Sequence, residues 1–287
     1  MYRTNIEQQK IQQQKIQQQK IQQQKIQQQI NKKINNRNTL NNFKMKNIPF
    51  RFKTKYNTII PTNLFTCWHT KDLPQKMREN YNTLKHENPE FNHYLYDEND
   101  CKDFIKNNFS FDILEAYNNL IPCAYKSDLW RYCILYKLGG IYIDIKYRTV
   151  NGFKLIALTE KEYFVRDLDT SFYGVYNAFI VALPGNQIML NCINQIVKNV
   201  KMKYYGDNCL TPTGPALLKT FFTSQERNNM ELYLETCKVE DVINTFYICY
   251  HKNIILGRYK EYYQEQKKHQ KNLRYSALWD NRNIYIN

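Results

Sequence analysis

The segment AYKSDLWRYCILYKLGGIYIDIKY, residues 124–147, constrains this chain more than any other stretch. Tyr125, Leu129, Tyr132, Cys133 and Tyr136 recur at three- and four-residue steps, which predicts a helix with one apolar face. Gly139 supplies a left-handed stop, and Gly140 lets the backbone turn closely into Ile141-Tyr142-Ile143. That short apolar run reads as a buried strand, with Asp144 at its C-terminal end. In an open α/β sheet, ligands gather outside the carboxyl ends of the strands. A carboxylate closing an apolar strand needs a partner. With Asp128 and Arg131 three residues apart on the preceding helix, the position suits a metal, a ribose or a sugar hydroxyl.

The folded part is expected to begin near Ile59. The run IIPTNLFTCWHT predicts a first strand, Pro74 opens a helix to about His86, and FNHYLYD alternates as a second strand. Asp97 is a good N-cap for DENDCKDFIKNN, and a shorter helix precedes Pro122. Further on, NAFIVALPG reads as a strand, Gln187 to Lys203 as a helix, and Thr213-Gly214-Pro215 as a helix entry. This alternation predicts an α/β fold, a mostly parallel sheet flanked by helices.

Residues 10–29 repeat KIQQQ four times. A period of five matches neither helical spacing: at about 100° per residue, successive Ile side chains turn by about 140° and form no stripe. Residues 1–58 are therefore expected to be a disordered, low-complexity, Gln-rich basic tail, and residues 59–287 one domain. The tail holds 13 of the 41 Lys and Arg and one of the 26 acids, so it carries +12 of the net +15. Residues 59–287 balance 28 basic against 25 acidic groups, and no nucleic-acid partner is expected of the folded part. The tail admits two readings, a polybasic tether giving peripheral membrane contact and a neutral repeat expansion; the second is preferred.

The eight cysteines show no C-x-x-C pair and no zinc-ligand spacing, so they read as buried free thiols of a reducing compartment. No apolar run approaches the roughly 18 residues of a transmembrane span, and the N-terminus holds no signal core. A cytoplasmic protein is the expectation.

The central segment resembles the sugar-binding region of family 32 glycosyltransferases, which carry a DXD motif. The family run SD-x-x-R-x-x-x-L-x-x-x-GG-[IV]-Y-[LI]-D-x-D is matched in order by Ser127, Asp128, Arg131, Leu135, Gly139, Gly140, Ile141, Tyr142, Ile143 and Asp144. The second Asp of DXD is here Lys146. IIPTNLFTCWHTKDLPQKM is similar to the family opening IPK-x-IHQ-x-W, and PEFNHYLYDENDC to its next strand. TGPALL and ALWDNRNIY match with lower specificity, so the resemblance spans residues 59–287. It implies a GT-A fold and a retaining transferase moving a monosaccharide from a nucleotide-sugar donor to a hydroxyl of a glycan, lipid or protein acceptor.

By the same resemblance Trp68 stacks on the nucleotide base, Asp128 bonds sugar hydroxyls, and Arg131 helps hold the sugar and phosphates; the residues alone also admit a core Trp68 capping the sheet and a simple exposed Asp128–Arg131 ion pair. Asp144 contacts ribose or sugar and, directly or through water, a Mn²⁺ or Mg²⁺. Tyr142 either lines the site or packs beneath it. Trp279, with Asn281 and Asn283, closes over the donor diphosphate or belongs to a packed tail. A charged lysine cannot ligate a metal, so Lys146 leaves three outcomes open. Its ammonium neutralises the diphosphate without metal, or Asp144 binds metal with a ligand from the C-terminal segment. The third is an inactive nucleotide- or sugar-binding protein on the same fold. Of the five histidines only His251 is a candidate metal ligand, and a weak one. An RNA-associated protein using the basic tail is a further class. No residue stands out as a general base, and the paired carboxylates of a glycosidase are not signalled.

Overall fold

A computed structural model of the chain describes residues 53, 55–168, 174–239, 242–271 and 273–286. The KIQQQ repeat, and with it the reading of the tail, lies outside the described residues. Lys53 pairs with Glu160, and Asn57 and Thr58 hydrogen bond Glu160 and Thr159 at 3.0 Å, so residues before Ile59 already contact the domain.

The first half follows the expected order: β1 (Asn63–Cys67), α1 (Gln75–Glu87), β2 (Asn92–Tyr96), α2 (Glu98–Asn108), α3 (Phe111–Asn119), α4 (Cys123–Leu138) and β3 (Gly140–Ile143). Asp97 caps α2 through a reciprocal capping box with Asp100. Then come β4 (Tyr147–Thr149), β5 (Tyr163–Arg166), β6 (Val175–Ala182), α5 (Gln187–Lys201), α6 (Pro215–Leu218) and α7 (Ser224–Asn228). The chain ends with β7 (Leu232–Val239), β8 (Val242–Tyr250), β9 (Asn253–Arg258), α8 (Tyr262–His269) and α9 (Tyr275–Asp280). The strands form one sheet in the order β2-β1-β3-β6-β5-β7-β8-β9-β4, flanked by helices.

The α/β architecture is as expected, but the parallel pairing is local. β1 is parallel to both β2 and β3, with Cys67 opposite Tyr96 and Phe65 opposite Tyr142. Beyond β3 the pairs are antiparallel except for β5 with β7. Hairpins make the difference. β8 and β9 are joined by His251-Lys252, with φ of 47° and 66°. Two positive φ values give a turn whose twist matches that of the strands it joins. Neither residue is the Asn or Gly that would announce such a turn in sequence.

α4 corrects a second expectation. Besides the apolar positions read from the sequence, Trp130, Ile134 and Leu135 are buried, as are Asp128 and Arg131. The helix is enclosed because β3 and β6 pack on one side and α2, α3, α5 and α9 on the others. Its glycine stop behaves as read: Gly139 has φ of 61° and its N–H bonds the Leu135 carbonyl at 2.9 Å. Among the described residues, no helix is long and apolar enough to cross a membrane.

Candidate active site at the carboxyl ends of β1 and β3

Because β2, β1 and β3 run parallel, their carboxyl ends share one edge of the sheet. Trp68 follows β1 there and Asp144 follows β3. The Asp144 N–H bonds the Ala178 carbonyl on β6 at 2.8 Å, and its own carbonyl accepts from the Tyr147 N–H at 2.9 Å, closing a tight turn. Asn80, buried on α1, donates to the carbonyls of Ile145 and Tyr147 at 3.0 and 3.2 Å. The turn that aims Asp144 is thus held from both sides.

Two carboxylates face one guanidinium. Arg131 lies 3.2 Å from Asp128 Oδ1 and 3.4 Å from Asp144 Oδ1. It also donates to the Asn177 carbonyl at 2.7 Å and to Ser127 Oγ at 2.9 Å. Asp128 accepts further from Asn177 Nδ2 at 2.9 Å and Thr213 Oγ1 at 2.8 Å. Burial pushes the Asp128 carboxyl above its ordinary range, against the pull of Arg131. Asp144 accepts from the Tyr142 hydroxyl at 2.8 Å and from Lys146 Nζ at 2.6 Å. Burial alone would raise it too, but Lys146 and Arg131 outweigh that and hold it below the usual carboxylate range. The Lys146 ammonium also lies 5.3 and 5.5 Å from the rings of Tyr147 and Tyr176. Burial works against its charge, yet Asp144 raises its pKa.

These contacts divide the expected site residues into a floor and a face. Tyr142 is 1 % exposed and Arg131 5 %, so both lie beneath the surface. This resolves the choice for Tyr142 in favour of packing under the site. Arg131 spends its donors on protein groups, so its position is that of a clamp. Asp144 and Lys146 keep side-chain exposures of 22 % and 19 %, and they are the charged groups that reach solvent. Trp68 is half-buried and packs with Leu73, Met77, Ile145, Tyr259 and Tyr262, which places it on the same edge through Ile145.

Of the two readings of the C-terminal segment, its contacts are those of a packed tail. Trp279 is 8 % exposed in the main core, and its Nε1 donates to the Tyr205 carbonyl at 2.7 Å, so its ring packs instead of closing over a ligand. Asn281 caps α9, and the Asn283 N–H bonds the Leu278 carbonyl. From the same segment, Tyr275 comes nearer: its ring lies 5.9 Å from Tyr125, and it feels the charges of Asp128 and Lys146. His251 sits in the β8–β9 turn, 3.9 Å from Glu231.

Sequence reasoning missed Asn80, Asn177 and Thr213. Asn177 had one available signal, as the polar residue that opens the apolar run NAFIVALPG. Thr213 had none, since its threonine-glycine-proline context reads only as a helix start. Cys67 is also closer to the site than a core thiol: its Sγ is 3.0 Å from Ser127 Oγ. A hydrogen bond from Cys101, with the charge of Arg131, lowers its pKa despite burial.

The donor set does not fit a divalent cation. Both Asp144 oxygens are already engaged, and no group of three His, Cys, Asp or Glu side chains among the described residues converges on a common point. A dication about 2.1 Å from Asp144 Oδ2 would share that oxygen with an ammonium 2.6 Å away. At an effective dielectric of about 20, that repulsion alone is about 7 kcal/mol.

Residues 74–160, which carry this turn and its clamp, match the family described as the glycosyltransferase sugar-binding region containing DXD motif. The chain is a glycosyltransferase. The matched region is similar to that of the family 32 type. The chain is 24% identical over 205 residues to glycosyltransferase L373 of Acanthamoeba polyphaga mimivirus, covering 67% of this chain and 79% of that one. It is 27% identical over 104 residues to the initiation-specific alpha-1,6-mannosyltransferase of Candida albicans, 34% of this chain and 27% of that protein. Mannosyl phosphorylinositol ceramide synthase SUR1 of Saccharomyces cerevisiae is 24% identical over 176 residues, 59% and 43% of the two chains. The chain therefore spans most of the viral relative but less than half of each fungal one.

Proposed function

We propose that the chain transfers a hexosyl group, mannosyl in the first instance, from a nucleoside-diphosphate sugar to a hydroxyl of a glycan or lipid, with retention at the anomeric carbon. The observation that carries this reading is the Asp128–Arg131–Asp144 cluster at the carboxyl edge of β1 and β3, inside the matched region. In this reading Asp144 and Lys146 meet the donor, Trp68 offers a ring to its base, and Arg131 and Tyr142 hold Asp144 in place from below. The fungal relatives named above act with mannose, which supports that sugar as the first to test. Aligned charge facing a leaving diphosphate lowers the barrier because it is in place before the bond breaks.

The test is a panel of nucleotide sugars, GDP-mannose and UDP-glucose first, followed by release of nucleotide and by melting temperature. A donor at about 100 times its Kd should stabilise the chain by about 2.7 kcal/mol. Absence of binding by every donor would remove the reading. One observation favours a second reading, a donor-binding protein without turnover: the second carboxylate of the motif is Lys146. It predicts the thermal shift with no nucleotide release.

A further inference from the structure

In the family pattern, a carboxylate at position 146 would face the site beside Asp144. Asp128, Arg131, Asp144 and such a carboxylate would carry a net charge of −2, and a bound dication would bring that to zero. In this chain the position is Lys146, and the four charges of Asp128, Arg131, Asp144 and Lys146 cancel within the protein. Replacing a carboxylate by an ammonium adds two positive charges, the amount that a divalent metal supplies.

The placement supports more than a change of charge. Lys146 Nζ is fixed on Asp144 Oδ2 at 2.6 Å and lies over Tyr147 and Tyr176, so the ammonium is seated, not sweeping through solvent. Among the described residues Asp144 is its one hydrogen-bond acceptor, and an ammonium has three hydrogens to give. Its side chain stays 19 % exposed at the edge where the donor would lie. The Tyr259 N–H holds the Lys146 carbonyl at 3.2 Å, so the backbone beneath it is fixed as well.

We propose that the Lys146 ammonium is the resident cation of this site: it binds the donor diphosphate directly, and donor binding needs no divalent metal. This rests on the donor-site reading given above. Asp144 then serves as the anchor that orients the ammonium.

The experiment is calorimetric titration of the full chain with UDP and with GDP, in Mn²⁺ and in EDTA. The wild-type chain should bind one of them with the same affinity in both buffers. Lys146→Met should weaken binding roughly tenfold or more in both, the equivalent of one charge-assisted hydrogen bond. Lys146→Arg should retain most of the affinity. Lys146→Asp should lose binding in EDTA and regain it in Mn²⁺. Binding by the wild type that disappears in EDTA overturns the proposal, as does wild-type affinity in a folded Lys146→Met. If Lys146→Met does not fold, the EDTA comparison and Lys146→Asp decide. Failure of both nucleoside diphosphates under every condition removes the donor-site reading and this proposal with it, whereas metal-dependent binding removes this proposal alone.

Discussion

The guanidinium carbon of Arg131 lies 4.3 Å from the centroid of the Tyr142 ring. From that seat Arg131 reaches Asp128 on its own helix and Asp144 beyond the strand, while the Tyr142 hydroxyl donates to Asp144. Stacking over an aromatic face suits Arg because its guanidinium is planar and weakly hydrated. One contact therefore fixes the spacing between helix α4 and the end of β3, and the two carboxylates keep their separation because of it.

Arg131→Ala should unfold the clamp. It leaves two carboxylates in a buried site without their shared cation, and removing one partner of a buried pair costs about 3–5 kcal/mol. Arg131→Lys keeps the charge but loses the fork and should fall between. Urea unfolding midpoints test this. A midpoint for Arg131→Ala equal to the wild-type value would show that Arg131 holds nothing together.

Tyr142→Phe should keep the fold and weaken the site. The ring stays buried against Trp130, 6.2 Å away between centroids, so packing is preserved. The hydroxyl that orients Asp144 is lost, and a hydrogen bond to a charged group contributes about 1.5–3 kcal/mol. Donor affinity should drop, and the melting temperature should fall by no more than the several degrees that one such hydrogen bond accounts for. Unchanged affinity would mean that Lys146 and Arg131 orient Asp144 unaided.

Much of the site's scaffold was legible because it rests on local signals. The Gly139-Gly140 stop, the capping residue Asp97 and the strand before Asp144 each need only neighbouring residues to be recognised. What stayed hidden depends on contacts across long stretches of chain. Asn80 acts on carbonyls about 65 residues away, and Thr213 on a carboxylate 85 residues away. The expectation of one apolar face on α4 failed for the same reason, since the helices enclosing it come from both ends of the chain. The antiparallel half was missed because the His251-Lys252 turn lacks the usual turn residues and because β6 and β9 pair with β3 and β4 across long stretches of chain.

Gly140→Ala should destabilise the fold more than an ordinary glycine substitution. Gly140 has φ of 121°, and a Cβ there would stand 2.5 Å from the Asn63 carbonyl oxygen, which is backbone and cannot swing away. Where the native conformation is incompatible with a side chain, the cost exceeds the roughly 1 kcal/mol that backbone entropy returns. Gly152 supplies the control: it also has positive φ, 70°, but a Cβ added there would meet nothing within 4 Å. Gly152→Ala should cost less in the same thermal melt, and the reverse order would remove the close approach of β3 to Asn63 as a constraint.

Asp144 should give the domain an acid-sensitive component of stability. Lys146 and Arg131 overcome the opposing effect of burial and hold its folded pKa below the unfolded value of about 3.9. The stability it contributes is then fully present above that value and is lost as pH falls through the folded pKa. Asp128 acts with the opposite sign: burial raises its folded pKa, so the stability it withdraws appears as pH rises past about 3.9. Comparing wild type with Asp144→Asn reads the loss of Asp144 together with the part of the Asp128 shift that the Asp144 charge causes. The difference in unfolding free energy should be largest at about pH 7 and shrink below about pH 4. A difference that stays constant down to about pH 3 would show that Asp144 titrates alike in the folded and unfolded chains. The ion pairs with Lys146 and Arg131 would then contribute nothing to folding.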